Sequence, residues 1–426
     1  MYTPHPVSNL ALSFEQLEQL RDQLVGEIAQ GLAQPNQQIK ALPAFVCLPK
    51  TELNGDVMVL DAGGTNVRAA KVGFNGKEVQ FTKKKYRDEF LMSEAQVVGA
   101  IDDDTFFQRQ ADLIHKVSDE PEFDLGYCFS YPSTNTPDND ARLVTWTKGI
   151  NVEGVIGESL RSKICQAIAH NGQTAHKVPV LNDTVTTLVA GAWLADCDQY
   201  IGLIAGTGLN AAAYYRVDQI GKLSAEEKQG WRDDEVMAVN LEVGNFHPAF
   251  LTEYDDALNE RRVDDNPGKQ RVEKAASGRY IAPIFGQIVG RDLCMSLKDG
   301  FAFDPDDIAT HAGQVTLLRH YPDAYIAQTA QAIIDRSADF TAVILAAIIM
   351  GQNAHLLSGG AADLQPVTTG ILVEGTLFWK TEGYKERVAR QLDRLTPDHL
   401  SAKFLFNDRD VSTNFIGVGY ATLAMK

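Results

Sequence analysis

The sequence predicts an α/β protein built from two related domains. Short apolar strands alternate with helical stretches, which is typical of the α/β class. A strand, a glycine-rich turn and a returning strand occur twice, first around Gly63 and again around Gly206. Such a repeat indicates two halves of similar structure, each contributing one glycine turn. The chain of 426 residues is long enough, since a domain usually has roughly 100–200 residues.

The composition is that of an acidic globular protein. Hydrophobic residues make up 44% of the chain, which is ordinary for a protein with a sizeable core. The formal net charge of −17 argues against nucleic acid as a partner, because nucleic-acid binding needs a basic face. An acidic protein can still bind a nucleotide where backbone N–H groups and a metal ion meet the phosphates.

Cysteine usage and hydropathy favour a cytoplasmic protein without a membrane span. The five cysteines are widely spaced and form no C-x-x-C pair, so free thiols are expected rather than a disulfide framework or a zinc site. Residues 1–20 lack the basic and apolar regions of a signal peptide. The longest apolar run, 342–350, is shorter than the roughly 18 residues that a membrane span requires.

The spacing of apolar residues predicts the individual elements. Residues 12–32 carry leucine and isoleucine at helical spacing and form the first expected helix. Further helices are expected at 184–196, 325–352 and 384–395, and a charged surface loop at 226–235. Strands are expected at the short apolar runs 57–60, 67–72, 79–81, 125–129, 178–181, 200–205, 211–215 and 371–373.

The first candidate site is the glycine turn that follows strand 57–60. Gly63 and Gly64 allow positive φ and the close approach of a phosphate. Thr65 and nearby N–H groups can donate to phosphate oxygens, and Asp61 could hold a hydrated Mg²⁺ ion. Arg68 adds a positive charge. A plain hairpin would explain the glycines alone, but not the acidic, hydroxyl and basic residues around them.

Other nucleotide-binding motifs do not fit this turn. No G-x-x-x-x-G-K-[ST] sequence occurs, and the turn joins two strands instead of opening a helix, which argues against a dinucleotide fingerprint. The second turn, Gly206-Thr207-Gly208, is common in hairpins. It gains weight only because it repeats the first arrangement in the other half of the chain.

A third candidate site, Asn182-Asp183-Thr184, follows strand 178–181. An ordinary helix N-cap would explain these residue types on its own, since Asn, Asp and Thr are all favoured there. The functional interpretation is that Asp183 faces a cleft and takes a proton from a hydroxyl within hydrogen-bond reach.

Two further segments carry side chains that suit a sugar. Thr147 can bond a sugar hydroxyl, and Lys148 can stabilise a phosphoryl group in transfer. Glu242 and Glu273 can accept hydrogen bonds from ring hydroxyls. A lone lysine or glutamate is most often a solvated surface residue, so none of these residues stands out without the others.

Taken together, the motifs resemble those of the hexokinase family, and they follow the family's order along the chain. The resemblance runs from about residue 57 to residue 395, and the first motif is Leu-Asp-Ala-Gly-Gly-Thr-Asn-Val-Arg. One motif would be weak evidence, whereas the ordered set is specific. The motifs lie at 60–68, 129–132, 145–149, 181–185, 204–210, 240–244, 252–255, 266–270 and 277–280.

The resemblance implies a two-domain ribonuclease-H-like (actin-like ATPase) sugar kinase fold of the α/β class. It implies a small domain of residues 53–182 with 413–426 and a large domain of residues 1–52 with 183–412, with the active-site cleft between them. The implied reaction is ATP-dependent phosphorylation of a hexose, glucose by default, at the 6-hydroxyl, with Mg²⁺ as cofactor. A kinase that prefers mannose or fructose and a non-catalytic sugar sensor are the alternatives, and a homodimer is compatible with the resemblance.

The family's roles transfer to this sequence by motif match. Asp183 is the expected general base, and Arg68 and Lys148 are expected to stabilise charge in transfer. Asp61 and Asp183 would hold the metal through water. The expected sugar-binding residues are Ser130, Thr147, Lys148, Asn182, Asp183, Asn210, Glu242 and Glu273. The expected ATP-binding residues are Asp61, Gly63, Gly64, Thr65, Asn66, Gly206, Thr207, Gly208, Gly375 and Thr376.

The sequence departs from the family pattern at three places. Val243 replaces an aromatic residue, and Thr186 replaces a glycine. Residues 412–414, Ser-Thr-Asn, replace part of a glycine-rich element on the adenosine side. We expect these departures to affect hexose and nucleotide preference more than catalysis.

Two other functions on related folds are disfavoured. An actin-like or chaperone-like ATPase that binds protein would not need the glutamate pair or Thr147-Lys148. A DNA-binding repressor related to sugar kinases conflicts with the acidic charge.

Overall fold

Two mixed β-sheets organise the chain in this computed structural model, which describes residues 7–48, 52–97, 99–147, 149–261, 267–306, 312–357 and 365–425. The strands are β1 (Leu42–Cys47), β2 (Asn54–Ala62), β3 (Val67–Asn75), β4 (Glu78–Phe81), β5 (Tyr86–Asp88), β6 (Glu122–Phe123), β7 (Leu125–Phe129), β8 (Ser133–Asn135), β9 (Ala141–Leu143), β10 (Thr174–Ala175), β11 (Val180–Leu181), β12 (Gln199–Ala205), β13 (Leu209–Arg216), β14 (Val236–Asn240), β15 (Val367–Glu374) and β16 (Leu400–Leu405).

Helices cover the sheets and fill the space between them. The helices are α1 (Phe14–Ala33), α2 (Leu91–Glu94), α3 (Asp103–Val117), α4 (Leu160–His170), α5 (Asp183–Leu194), α6 (Glu253–Arg261), α7 (Arg271–Ala276), α8 (Gly278–Val289), α9 (Arg291–Ser296), α10 (Ala312–Leu318), α11 (Ala324–Gln352), α12 (Ala354–Leu357), α13 (Thr376–Lys380), α14 (Tyr384–Leu395) and α15 (Thr413–Ala424).

The two sheets share one strand order. Five strands of the first sheet run β4-β3-β2-β7-β11, with β5 also paired to β3, and five of the second run β14-β13-β12-β15-β16, with β1 paired to β14. In each run of five, the first two neighbouring pairs are antiparallel and the last two are parallel. This match confirms the predicted internal repeat. It also puts the turn after β2 and the turn after β12 at equivalent positions of the two halves.

Helices α5 and α15 lie between the two sheets. Buried Val59 of β2 and Leu372 of β15, one from each sheet, belong to a single apolar cluster. Leu188 of α5 and Phe415 of α15 join the same cluster. The two helices approach very closely, because a Cβ on Gly417 would lie only 1.9 Å from the carbonyl oxygen of Thr186. The helix pair therefore connects the two halves through packed side chains and backbone.

Most predicted elements are confirmed, with shifted ends. The apolar stripe of α1 is buried from Leu17 to Leu32, and a capping box between Ser13 and Gln16 fixes its start. The predicted strand 178–181 is shorter than expected, because only β11 pairs with β7. The predicted loop 226–235 contains no helix or strand. Within the described part of the chain, no helix has the length and apolar character that a membrane crossing requires.

Candidate active site

The turn between β2 and β3 is closed by its own backbone. The N–H of Gly63 donates to the carbonyl oxygen of Asn66 over 3.2 Å, and the hydroxyl of Tyr131 donates to the Gly63 carbonyl over 3.0 Å. The positive φ that glycine allows is not used at Gly63 in this turn, nor at Gly206 and Gly208 in the second turn. What the missing side chain provides in this turn is space at the chain's surface for a ligand.

A cavity of about 310 Å³ opens beside this turn. It joins the first glycine turn to the predicted base, although Asp183 is far from that turn in the sequence, whereas the predicted ATP-binding residues at 206–208 and 375–376 do not line it. The polar walls come from both halves of the β2–β3 hairpin and from the ends of β7, α5 and α15. The lining residues are Asp61, Gly63, Gly64, Thr65, Asn66, Arg68, Ser130, Asp183 and Asn414.

Asp61 lies at the end of β2 and is only 1% exposed. Its carboxylate forms an ion pair with Arg68 of β3. The side-chain amide of Asn414 lies 3.4 and 3.3 Å from the two carboxylate oxygens. Arg68 itself is partly exposed, and its guanidinium lies 5.6 Å from the ring centroid of Phe415. Both members of the ion pair therefore line the cavity, Arg68 as the more exposed of the two.

Asp183 is the first residue of α5, and it is not the helix cap. Asn182 occupies the N-cap position, and its side chain accepts the N–H of Thr184 over 3.0 Å. Of the three residues whose types suit a helix cap, Asn182 therefore has that role and Asp183 does not. A carboxylate at the start of a helix is stabilised by the helix dipole. Because Asn182 satisfies the end of the helix, the Asp183 carboxylate remains available to the cavity.

A polar chain leads from Asp183 towards the second half of the molecule. The hydroxyl of Thr184 donates to Oδ1 of Asp183 over 3.3 Å, and the Asn210 amide donates to the Thr184 hydroxyl over 3.1 Å. The same amide lies 3.2 Å from Oε1 of Glu242, which also accepts from Asn240 over 2.7 Å. The predicted base and two predicted sugar residues thus share one network.

Glu242, a member of this network, has a backbone conformation that is unusual for a residue other than glycine. Its φ of 56° and ψ of 47° are left-handed, a region that non-glycine residues occupy rarely and often at functional sites. Burial raises the pKa of its carboxyl group, and the nearby carboxylates of Asp183 and Glu273 raise it further. Three acidic side chains therefore face one region, where the hydroxyls of a ligand would supply hydrogen-bond donors.

Glu273 extends this acidic region to the second glycine turn. Its Oε2 accepts the N–H of Leu209 over 3.0 Å. Gly206 and Gly375 pack backbone to backbone, since a Cβ on Gly375 would lie 2.1 Å from the Ala205 carbonyl oxygen. Thr376, the last of the predicted ATP-binding residues, follows directly and begins α13. Thr207 is tied to α8, because its carbonyl accepts the N–H of Arg279 over 3.1 Å.

One predicted sugar-binding residue, Thr147, does not join these groups among the described residues. Thr147 is partly buried, and its carbonyl accepts the N–H of Ile150 over 3.1 Å, but it does not line the cavity. Lys148 lies outside the described residues.

Sequence reasoning missed three polar side chains of the site. Thr184 and Asn240 lie inside motifs that the sequence already singled out, so their hydrogen-bonding side chains were a usable signal. Asn414 lies in the segment that departs from the family pattern, and no local signal marks it.

The cavity offers the ligand chemistry of a hydrated Mg²⁺ ion. No group of three or more His, Cys, Asp or Glu side chains among the described residues could hold a metal by itself. Mg²⁺ needs less than that, because it keeps several waters and binds through one or two carboxylates together with substrate phosphates. The carboxylates of Asp61 and Asp183 line the same cavity as the hydroxyl-bearing residues Thr65 and Ser130.

Comparison with known proteins identifies relatives of this chain. A family model described as "Hexokinase" matches residues 5–193, and a second with the same description matches residues 200–311. A hexokinase from Schwanniomyces occidentalis is 30% identical over 414 residues, which cover 90% of this chain and 84% of that protein. A hexokinase from Kluyveromyces lactis is 28% identical over 407 residues, which cover 89% of this chain and 82% of that protein.

A plant relative matches a shorter region. Hexokinase-7 of Oryza sativa subsp. japonica is 34% identical over 281 residues, which cover 63% of this chain and 58% of that protein. The chain thus aligns with less than two thirds of this relative's length.

The fold is also found in solved structures. A hexokinase from Schistosoma mansoni complexed with glucose superposes with a TM-score of 0.75 at 23% identity, covering 98% of this chain and 97% of that chain. The predicted two-domain sugar kinase fold is confirmed by this match.

Proposed function

Because the chain belongs to the hexokinase family, we propose that it transfers the terminal phosphoryl group of ATP to the 6-hydroxyl of a hexose, with glucose as the first candidate. The observation that carries the proposal is the cavity in which the glycine turn, Asp61, Ser130 and Asp183 meet. A turn that can bind phosphate and a carboxylate that lines the same cavity are what a phosphoryl transfer to a hydroxyl requires.

The proposed cleft lies between a small domain of residues 53–182 with 413–426 and a large domain of residues 1–52 with 183–412. The hexose is bound by Asn210, Glu242 and Glu273, together with Ser130, Asn182 and the Thr147-Lys148 segment. Carboxylate and amide groups suit this role because they accept and donate along a ring of hydroxyls.

In the proposed mechanism Asp183 accepts the proton of the 6-hydroxyl as its oxygen attacks the terminal phosphorus of ATP. The bond from phosphorus to the bridging oxygen breaks in line, and ADP leaves with that oxygen. The two glycine turns hold the ATP phosphates, while Arg68 at the cavity wall offsets their developing charge. Asp61 and Asp183 would hold Mg²⁺ through water, and the bound ion would neutralise part of the charge on the ATP phosphates.

Closure of the cleft would exclude water from the transfer. Water competes with the sugar hydroxyl as an acceptor, so an open site would waste ATP. A closure driven by sugar binding would also give specificity through induced fit.

A coupled assay tests this proposal. ADP formation is measured with glucose, mannose, fructose and N-acetylglucosamine, and with ATP against other nucleoside triphosphates. The proposal expects ADP formation that depends on a hexose. Hydrolysis of ATP that no sugar changes would indicate an ATPase instead, and sugar binding without turnover would indicate a sensor.

A further inference from the structure

Two departures from the family pattern contact each other at the edge of the cavity. Thr186 of α5 and Asn414 of α15 are 228 positions apart in the chain, yet the Thr186 hydroxyl lies 2.9 Å from Oδ1 of Asn414. The two side chains meet because Gly417, one helical turn after Asn414, lets α15 lie against the Thr186 backbone. A larger residue at 417 would push the helices apart.

The orientation of the Asn414 amide is fixed by chemistry. The carboxylate of Asp61 can only accept hydrogen bonds, so the Asn414 group that faces it must be the Nδ2 donor. The Oδ1 acceptor then faces Thr186, whose single hydroxyl proton can go to Oδ1 over 2.9 Å or to the Asp183 carbonyl over 2.7 Å. When the hydroxyl donates to Oδ1, it holds Asn414 in the rotamer that directs its donor at Asp61.

The same turn of α15 also reaches the other sheet. Thr413, next to Asn414, bonds through its hydroxyl to the carboxylate of Glu374 at the end of β15. Asp61 belongs to the sheet of β2, and Glu374 to the sheet of β15. The start of α15 thus links the ends of both central sheets beside the cavity.

Asp61 needs a second partner if Arg68 is to serve the phosphates. Asp61 is buried, and a buried carboxylate left without a hydrogen bond is costly. Arg68 is its ion-pair partner and also lines the cavity. If Arg68 turned towards an incoming phosphate, the Asn414 amide would still donate to the carboxylate, with the Cys128 thiol as a second, weaker donor.

We propose that Asn414 is a positioning residue for Asp61 and that Thr186 fixes Asn414 in this role. The inference rests on the proposed function, since it assigns Asp61 to the MgATP side of the cavity. It explains why threonine and asparagine stand together at these two positions, since each side chain supplies the other's hydrogen-bond partner.

The test compares Asn414→Asp, Asn414→Ala and Thr186→Val with a matched control, Thr422→Val. Thr422 is a buried threonine on α15 whose hydroxyl bonds to the Val418 carbonyl of its own helix. The first measurement is calorimetric binding of a non-hydrolysable ATP analogue with and without Mg²⁺. The second is the split of kcat and KM for hexose and for MgATP.

Both Asn414 variants are expected to lose about 10- to 100-fold in kcat and in the Mg²⁺-dependent gain in analogue affinity, since a hydrogen bond to a charged group is lost. The hexose KM should stay within about twofold. Asn414→Asp should be worse than Asn414→Ala, although it keeps the shape, because it places an acceptor with like charge against Asp61. Thr186→Val should shift the same quantities less, and Thr422→Val should leave them unchanged.

Wild-type behaviour of Asn414→Asp would overturn the inference, and so would equal effects of Thr186→Val and Thr422→Val. If Asn414→Asp does not fold, the comparison of Thr186→Val with Thr422→Val still tests the inference. A wild-type chain without hexose-dependent turnover would contradict the proposed function instead, while the binding measurements would still test Asn414.

Discussion

Asp183 can act as a base because its neighbour meets the needs of the helix. Asn182 caps α5, so the Asp183 carboxylate accepts only the Thr184 hydroxyl among its side-chain hydrogen bonds in the described structure. Asp183→Asn is expected to keep the fold and most hexose affinity, and to lose roughly 10²–10⁴-fold in turnover. A coupled assay with calorimetric hexose binding measures both quantities.

A matched control for this variant is Asp196→Asn. The side chain of Asp196 is 97% exposed, and its surface ion pair with Lys77 contributes little. The control should leave turnover unchanged. Near-native turnover of Asp183→Asn would remove Asp183 from its assigned role.

The raised pKa of Glu242 predicts how hexose binding depends on pH. Burial and the carboxylates of Asp183 and Glu273 make Glu242 bind a proton at a higher pH than an ordinary glutamate does. As pH falls through this raised pKa, the carboxylate loses its charge and accepts hydroxyl protons less well. The hexose KM should therefore rise on the acidic side before ordinary glutamates protonate. Glu242→Gln should bind hexose more weakly and lose this acidic rise, and a profile identical to wild type would contradict the assignment.

At the residue scale, the sequence predicts the chemistry of a local motif better than it predicts contacts between residues that are far apart in the chain. Asp183 and the glycine turn stand in contiguous motifs that carry their own context. The role inferred for Asn414 depends on Asp61, 353 positions away, and on the close helix approach at Gly417. No pattern within a few residues can contain such a contact.

The contact between α5 and α15 makes a prediction at the scale of secondary structure elements. In Gly417→Ala a Cβ would meet the Thr186 carbonyl at 1.9 Å, a backbone atom that cannot rotate away. The variant should lose about 1–3 kcal/mol of unfolding free energy or more, as overpacked sites do. Urea unfolding measures the loss.

Gly26 of α1 provides the matched control. A Cβ at this position has no heavy atom within 4 Å. Gly26→Ala should therefore stabilise the protein by about 0.5–1 kcal/mol, since alanine is the better helix former. Equal effects of the two substitutions would show that the close approach of the helices is not what Gly417 provides.

The long helix α11 carries a buried ion pair with α6. Arg336 and Asp255 are 1% and 3% exposed, and the guanidinium donates to both carboxylate oxygens at 2.8 and 2.9 Å. Asp255→Asn leaves a buried unpaired charge and should cost about 3–5 kcal/mol at neutral pH. Arg336→Met with Asp255→Leu should cost less than Asp255→Asn alone, because no unpaired charge remains.

The cost of Asp255→Asn should depend on pH in a defined direction. Burial alone would raise the pKa of Asp255, but Arg336 and the Thr252 hydrogen bonds outweigh it and lower the pKa. A carboxyl group whose pKa is lower in the folded state stabilises the fold at pH values above its unfolded-state pKa. This stabilisation is lost as pH falls through the folded-state pKa. The difference between wild type and variant in unfolding free energy should therefore shrink on acidification, and a constant difference would contradict the pairing.

The ends of the elements show where sequence patterns run out. The predicted bounds of α14 match the observed ones, since its amphipathic pattern starts directly after Gly383. The strand predicted at 178–181 is confined to β11 because Pro179 has no N–H to give to a ladder. Apolar runs indicate that an element exists, while caps and prolines decide where it begins and ends.

At the scale of the whole molecule, the paired sheets account for the location of the site. In each sheet a glycine turn follows a central strand, and the α5–α15 pair between the sheets brings Asp183 and Asn414 beside the first of these turns. The sequence predicts this duplication because the strand-turn-strand pattern repeats. It does not predict that the C-terminal helix packs between the halves, since that depends on tertiary contacts alone.

The most direct test is ³¹P NMR of the purified chain with Mg²⁺, ATP and glucose. The proposed function predicts that ADP and a sugar 6-phosphate appear in equal amounts, that neither forms when glucose is omitted, and that both form much more slowly in Asp183→Asn. The proposed function would be contradicted if inorganic phosphate were released equally fast with and without glucose, or if ATP were not consumed under any of these conditions.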